Sequence, residues 1–337
     1  MKKFLFAIVL FLTENLCFSQ QADSLHRIAK QFMRNGDYAN AVIVLNNALK
    51  KNPDNLELQK DLTFTYYLQR NYSSAVESGR LLVARNDADE QCYQILGMSY
   101  KAIDEKKEAD KMYKQGLKKF PASGELYNEY GEMLWVKQDN DAIRFWEKGI
   151  EVDPGYSSNY YNASRYYYFT YDKVWSLIYG EIFINLESYS KRTPEIKLLL
   201  VDAYKKLFTE LKASKNLQNK NPFAAAYLTV MNDQAASVSL GITPESLNIL
   251  RSKFVLEWFE KYSDRYPYRL FDYQRQLLRE GMFEAYNQWA FGSSMGLTAF
   301  QNWTTQHAED YNRFINFQKG RVFKLPAAQN YRNLTTK

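Results

Sequence analysis

Alanine returns at a fixed interval through the first half of the chain. Ala41, Ala75 and Ala109 stand 34 residues apart, and Ala142 follows after 33. Large residues keep the same interval: Phe32, Tyr66, Tyr100 and Leu134 are spaced by 34, as are Ile28, Leu62, Leu96 and Tyr130. Gly97 and Gly131 repeat it, and Pro53, Pro121 and Pro154 close three units, with Asp87 in the slot between. No other feature restricts the fold as much. A unit of this length is one supersecondary element that cannot bury its apolar face alone, so neighbours must stack. The apolar spacing inside each unit is helical. Small residues let two helices approach closely, large ones fill the gaps between them, and proline, which lacks the amide proton, stops the second helix.

The segment GDYANAVIVLNNALKKNPDN, residues 36–55, is similar to the second half of the tetratricopeptide repeat motif, and residues 22 to about 170 resemble that family. The units read as 22–55, 56–89, 90–123 and 124–156, within a solenoid over 20–194. A degenerate fifth unit spans 157–194: Tyr160, Ala163, Ser164 and Tyr167 keep the register, Ser176 stands where alanine is expected, and Pro194 comes late. The resemblance implies an all-α fold, a right-handed solenoid of helical hairpins followed by an irregular helical region. It also implies a concave face, lined by the first helix of each unit, that takes a protein or peptide partner.

The resemblance puts Phe64, Tyr67, Trp135, Tyr161, Arg165 and Tyr168 on that face. Tyr161, Arg165 and Tyr168 fall on one side of a helix at i, i+4 and i+7. Flat amphipathic rings suit a protein interface; they would stack on sugar rings as well, so a glycan is the alternative ligand. The competing expectation is that C-terminal helices pack over these rings. Tyr160 and Tyr167 fall on core positions of the repeat. Some proteins of this family hold a peptide's terminal carboxylate with spaced Lys, Asn and Arg. The matching positions here hold His26, Lys30, Asp61, Gln91 and Ile95, which argues against that clamp.

Residues 1–19 read as a cleaved signal peptide: Lys2 and Lys3, an apolar run over Phe4–Leu12, then Cys17-Phe18-Ser19 before a mature start near Gln20. The run is too short for a membrane anchor, which needs about 20 residues, and no later stretch is a transmembrane segment. Asn15 and Leu16 before Cys17 argue against lipid attachment there. The expected location is the periplasm or cell envelope, or outside the cell. Cleavage would take the net charge from +6 to +5 and leave Cys92 with no disulfide partner. The absence of a dense Lys/Arg block argues against a nucleic-acid groove.

Beyond the repeats, residues 195–323 read as a helical C-terminal domain and 324–337 as a tail. Helices are expected over 195–211, from Pro222 to Gly241, from Thr243 onward, and over about 268–290 and 295–318. Gly292-Ser293-Ser294-Met295-Gly296 fits the G-x-S-x-G pattern of a nucleophile elbow, with His307 after it. That elbow needs a strand running into the serine and an acid between serine and histidine. The preceding FEAYNQWAF is helical in spacing, and no Asp or Glu lies between Ser294 and His307. Ser294 is therefore expected in an interhelical turn. No cofactor motif and no metal-ligand spacing is present. The sequence thus predicts an exported, non-catalytic protein–protein interaction scaffold or adaptor; a glycan-binding or glycan-processing protein built on helical repeats is the alternative.

Overall fold

The computed structural model describes residues 23–213, 219–326 and 329–332. The expected signal peptide, with Cys17, lies outside the described residues. All secondary structure among them is helical. The chain forms two compact units, one up to Met133 and one from Leu134 onward.

In the first unit the helices are α1 (23–34), α2 (Tyr38–Leu49), α3 (Leu56–Leu68), α4 (Tyr72–Ala84), α5 (Glu90–Ala102), α6 (Lys106–Lys119) and the start of α7 (Gly124–Val136). Short polar side chains begin several of them. Asp37, Asn55, Asn71 and Asp89 each accept a hydrogen bond from the amide three residues on, satisfying a donor that the first helical turn leaves free. From α2 to α6 each helix packs on the next in sequence, and α5 also reaches back to α3. Ala41, Ala75 and Ala109 are fully buried, as their spacing predicts. A second 34-residue rhythm shows only in the backbone. Gly36, Arg70 and Asp104, together with Gln138 in the other unit, all adopt positive φ, from 59° to 77°. One hairpin turn is thus reused at each step, and glycine supplies it only at Gly36.

Gly97 in α5 is required by close approach. A Cβ there would stand 2.5 Å from the ring of Tyr113 in α6, which is itself fully buried. Gly97→Val should cost about 1–3 kcal/mol of overpacking, with helix propensity returning less than about 1 kcal/mol. Urea unfolding followed by far-UV circular dichroism checks this. Cys92 is also buried, and burial pushes its thiol up to about 12, so it packs as a neutral core residue.

The second unit contains the end of α7, then α8 (Ala142–Val152), α9 (Ser157–Tyr168), α10 (Lys173–Leu186) and α11 (Thr193–Ala213). Ala142, Tyr160 and Tyr167 are buried as expected. Ser176 fills the place of an alanine by a different means. Its hydroxyl donates to the carbonyl of Ser164 at 3.0 Å, and the Ser164 hydroxyl donates to the carbonyl of Ser176 at 2.8 Å. The α9–α10 contact stays tight and both buried hydroxyls are satisfied. Helix α11 packs on α10 and also touches α9, as α5 does with α4 and α3, so the hairpin series runs one helix beyond the recognisable motif.

The remaining helices are α12 (Pro222–Asp233), α13 (Pro244–Lys261), α14 (Arg269–Arg279), α15 (Phe283–Asn287), a π-helical turn over Gln288–Gly292, α16 (Ser293–Met295), α17 (Leu297–Gln306) and α18 (Ala308–Lys319). Pro222 sits in the first turn of α12 behind an Asn221 cap, and Thr243 begins α13 with a capping box to Ser246. The helix expected to run from Pro222 to Gly241 ends at Asp233 and gives way to a 3-10 turn over Ala235–Val238. The two long helices expected at 268–290 and 295–318 are each divided. Gly281, at φ +68°, separates α14 from α15, and His307 leaves helical geometry between α17 and α18. The core is aromatic: Phe223 stacks against Trp175 and Phe271, and Trp258 packs against Phe254 and Phe271. One buried ion pair, Arg251 with Glu181, lies inside it. Residues 324–326 and 329–332, within the segment read as a tail, also belong to this unit.

Candidate interaction surface

Helix α9 presents Tyr161, Arg165 and Tyr168 half-exposed, while Tyr160, Ala163 and Tyr167 turn into the core. Helix α11 meets that outer row with a matching row of charges. The Tyr161 hydroxyl donates to Glu195 at 2.7 Å, and Arg165 Nε pairs with the same carboxylate at 3.1 Å. The Tyr168 hydroxyl donates to Asp202. Tyr161 to Glu195 and Tyr168 to Asp202 are both steps of 34 residues, so the repeat interval itself builds these pairs.

Cations close the ring faces. The guanidinium of Arg165 lies 5.1 Å from the Tyr161 ring and that of Arg192 lies 4.8 Å from it, while Lys206 Nζ stands 3.7 Å from the Tyr168 ring. Each such contact is worth about 0.5–1 kcal/mol at an exposed site, and together they hold the rings in defined orientations. Burial, and then the Glu195 hydrogen bond, push the Tyr161 hydroxyl up to about 12, so it remains a donor at neutral pH. Leu198 lies between the two acids on α11 and is 58% exposed. The sequence reading missed Leu198 because it followed residue types, which stop repeating near 194. The 34-residue offsets to Glu195 and Asp202 were the available signal.

Trp135 packs against Trp146 at 6.0 Å and Tyr166 at 5.5 Å, with one side left open. In the first unit, Phe64 and Tyr67 lie on α3 and stack on each other at 6.0 Å; both are half-buried. At the positions of the carboxylate clamp, Asp61 engages the nearby nitrogens itself, with His26 Nε2 at 2.5 Å and Lys30 Nζ at 3.6 Å.

Ser294 lies in the short α16, between the π-helical turn and a break at Gly296, so helix precedes it as well as follows it. His307 stacks on Trp303 at 4.5 Å, and its Nδ1 lies 3.0 Å from the Trp303 carbonyl oxygen. Among the described residues, no group of three or more His, Cys, Asp and Glu gathers as a metal site, and no helix is long and apolar enough to cross a membrane.

The tetratricopeptide repeat family matches residues 23–55, the first of the units. Residues 23–55 carry a tetratricopeptide repeat, a fold that suggests a scaffold for protein–protein interaction. No curated protein matches the chain. Among solved structures, a thermophilic TPR protein of Thermus thermophilus is 17% identical, with a TM-score of 0.47, over 54% of this chain and 98% of that one. The C-terminal part of a TPR repeat-containing protein from Cytophaga hutchinsonii is 14% identical, with a TM-score of 0.42, over 81% of this chain and 96% of that one. YrrB, described as a TPR protein with an unusual peptide-binding site, is 15% identical, with a TM-score of 0.37, over 56% of this chain and 97% of that one.

Proposed function

We propose that the protein is an exported, non-catalytic adaptor of the cell envelope that binds a partner protein through the first helices of its tetratricopeptide repeats. The observation that carries this reading is the α9–α11 face. Tyr161, Arg165 and Tyr168 are held by Glu195, Asp202, Arg192 and Lys206, and the exposed Leu198 sits between the acids. An apolar centre with preoriented rings and a charged rim is the layout of an interface hot spot. Preorientation matters because ordering loose side chains on binding would cost about 0.5–1.5 kcal/mol each. The rings already have their hydroxyls and faces engaged, which favours a peptide laid across them over sugar stacking on a bare ring. The N-terminal sequence supports export.

The test selects peptides from a displayed library on the wild-type chain and measures the best of them against Tyr161→Ala/Tyr168→Ala. Loss of these anchors should weaken binding about 30-fold or more, as removal of hot-spot residues does. Unchanged affinity in a folded variant would sink the reading, as would selection that yields no peptide while a glycan array gives binding sensitive to the same variant. Export is checked separately by the N-terminus of the mature protein, expected near Gln20.

A further inference from the structure

Residues 329–332 cross the second unit in the manner of a bound ligand. The Tyr331 ring stacks on Phe223 at 4.9 Å and leans on Tyr266 and Tyr268, and its hydroxyl donates to the Pro267 carbonyl at 2.7 Å. Asn221 Nδ2 donates to two successive backbone carbonyls, those of Tyr331 at 2.8 Å and Arg332 at 2.9 Å. Arg332 Nε donates to the Tyr167 hydroxyl at 2.6 Å and pairs with Glu147 at 3.0 Å. Glu147 and Asn221 are both buried. Burial raises the Glu147 carboxyl above its usual range, and the Arg332 guanidinium pulls it back toward the charged form.

Each group in this constellation does a different part of peptide recognition. A side-chain amide fixes the backbone, an aromatic well takes a ring, and a buried carboxylate takes a cation. The sequence places the parts far apart, on α8, α9, α12 and the turn before α14. The fit is incomplete, however. Leu325, Pro326, Gln329 and Tyr331 roof a cavity of about 10 Å³, room for the centre of one water, whose floor includes Trp175 and Tyr179. Neither Trp175 Nε1 nor the Tyr179 hydroxyl has a hydrogen-bond partner among the described residues, although both are buried. An occupant that brought an acceptor to these donors would bind better than the chain's own segment does.

We propose that this is a second peptide-recognition site, filled in the free chain by Tyr331-Arg332 and taken in function by an extended partner segment in which an aromatic residue precedes arginine. The tethered segment enjoys a high effective concentration, so it screens the site against weak ligands and yields to a better-fitting one. The site is separate from the α9–α11 face. Its test does not depend on that reading, because Tyr161 and Tyr168 are left intact.

The probe is a synthetic peptide of residues 325–334, LPAAQNYRNL. The full chain with Tyr331→Ala/Arg332→Ala should bind it saturably, at least about tenfold tighter than the wild type, whose site is occupied. Adding Glu147→Gln, or changing the peptide's arginine to glutamate, should weaken binding by about tenfold or more. A folded variant that does not bind the peptide, or that binds it regardless of the arginine, overturns the proposal. If the variant does not fold, hydrogen exchange on the wild type decides. Amides of 329–332 should exchange far faster than those of α9 and α12, since a displaceable segment opens locally. Protection equal to those helices would mean the segment leaves only on global unfolding, and the proposal fails.

Discussion

Glu181→Ala should destabilise the second unit by about 3–5 kcal/mol, the cost of leaving a buried charge without its partner. Arg251, on α13, is 1% exposed, and its Nη2 donates to Glu181 Oε1 on α10. The same carboxylate oxygen accepts from Gln274 Nε2 at 2.8 Å and from the Tyr286 hydroxyl at 2.7 Å. Arg251 Nη1 donates to Asn287, and the guanidinium otherwise faces the rings of Phe283, Tyr286 and Phe291. Asn287 would remain as a neutral acceptor for one arm of the cation. The adjoining cavity of about 10 Å³, lined by Glu181, Arg251, Tyr204 and Gln274, has room for the centre of one water. Neither replaces a carboxylate. The two other donors, Gln274 and Tyr286, would lose a shared partner at once, so the loss should exceed that of one neutral hydrogen bond, about 1 kcal/mol.

The paired variant separates charge from packing. Glu181→Leu/Arg251→Met removes both charges and keeps apolar volume, so it should recover most of what Glu181→Ala loses. All six tryptophans lie beyond Met133, so their fluorescence in urea reports the second unit alone. A single variant within about 1 kcal/mol of wild type would mean that the network is not closed to solvent. A double variant as unstable as the single one would assign the loss to packing or to the remaining hydrogen bonds.

The repeats were legible because packing leaves the same imprint at each step. Ala41, Ala75, Ala109 and Ala142 all fill fully buried positions, so any large side chain there would be excluded. The series could not be followed into α11 because geometry persisted after residue identity had changed. Glu195 stands 34 residues after Tyr161 and Asp202 34 after Tyr168, which replaces ring by carboxylate while preserving the contact. Backbone constraint was likewise hidden where Arg70, Asp104 and Gln138 take the turn that Gly36 takes. The helical spacing before Ser294 outweighed a short pattern, but the interhelical turn expected at Ser294 was misplaced: the residue lies within α16, and the chain leaves helical geometry at Gly296. The Tyr331–Phe223 and Arg332–Glu147 contacts left no sequence trace, being single and non-local, with nothing periodic to reveal them.

Lys197 offers the opposite case to Arg251, a buried cation without an acid. It lies on α11, 9% exposed, with Nζ 2.5 Å from the Trp289 carbonyl oxygen and 3.8 Å from the centre of the Trp289 ring. The carbonyl and the ring face favour the ammonium, but no carboxylate among the described residues pairs with it, and burial pushes it down to about 7. The unfolded chain holds this proton up to about pH 10.4. Between about pH 7 and 10.4 the unfolded state therefore binds more protons than the native one, and stability rises with pH, by up to about 1.4 kcal/mol per unit from this group. Below about pH 7 both states are protonated and the full penalty of a buried charge remains. Lys197→Met keeps the length of the side chain and removes the charge, so it should stabilise the second unit most at pH 6. That advantage should shrink steadily as pH rises to 9.5. Urea midpoints from tryptophan fluorescence at pH 6, 8 and 9.5 measure the difference. A gain that stays constant across this range would show that Lys197 does not titrate there, and a loss at pH 6 would show that the Trp289 carbonyl and ring compensate fully for burial.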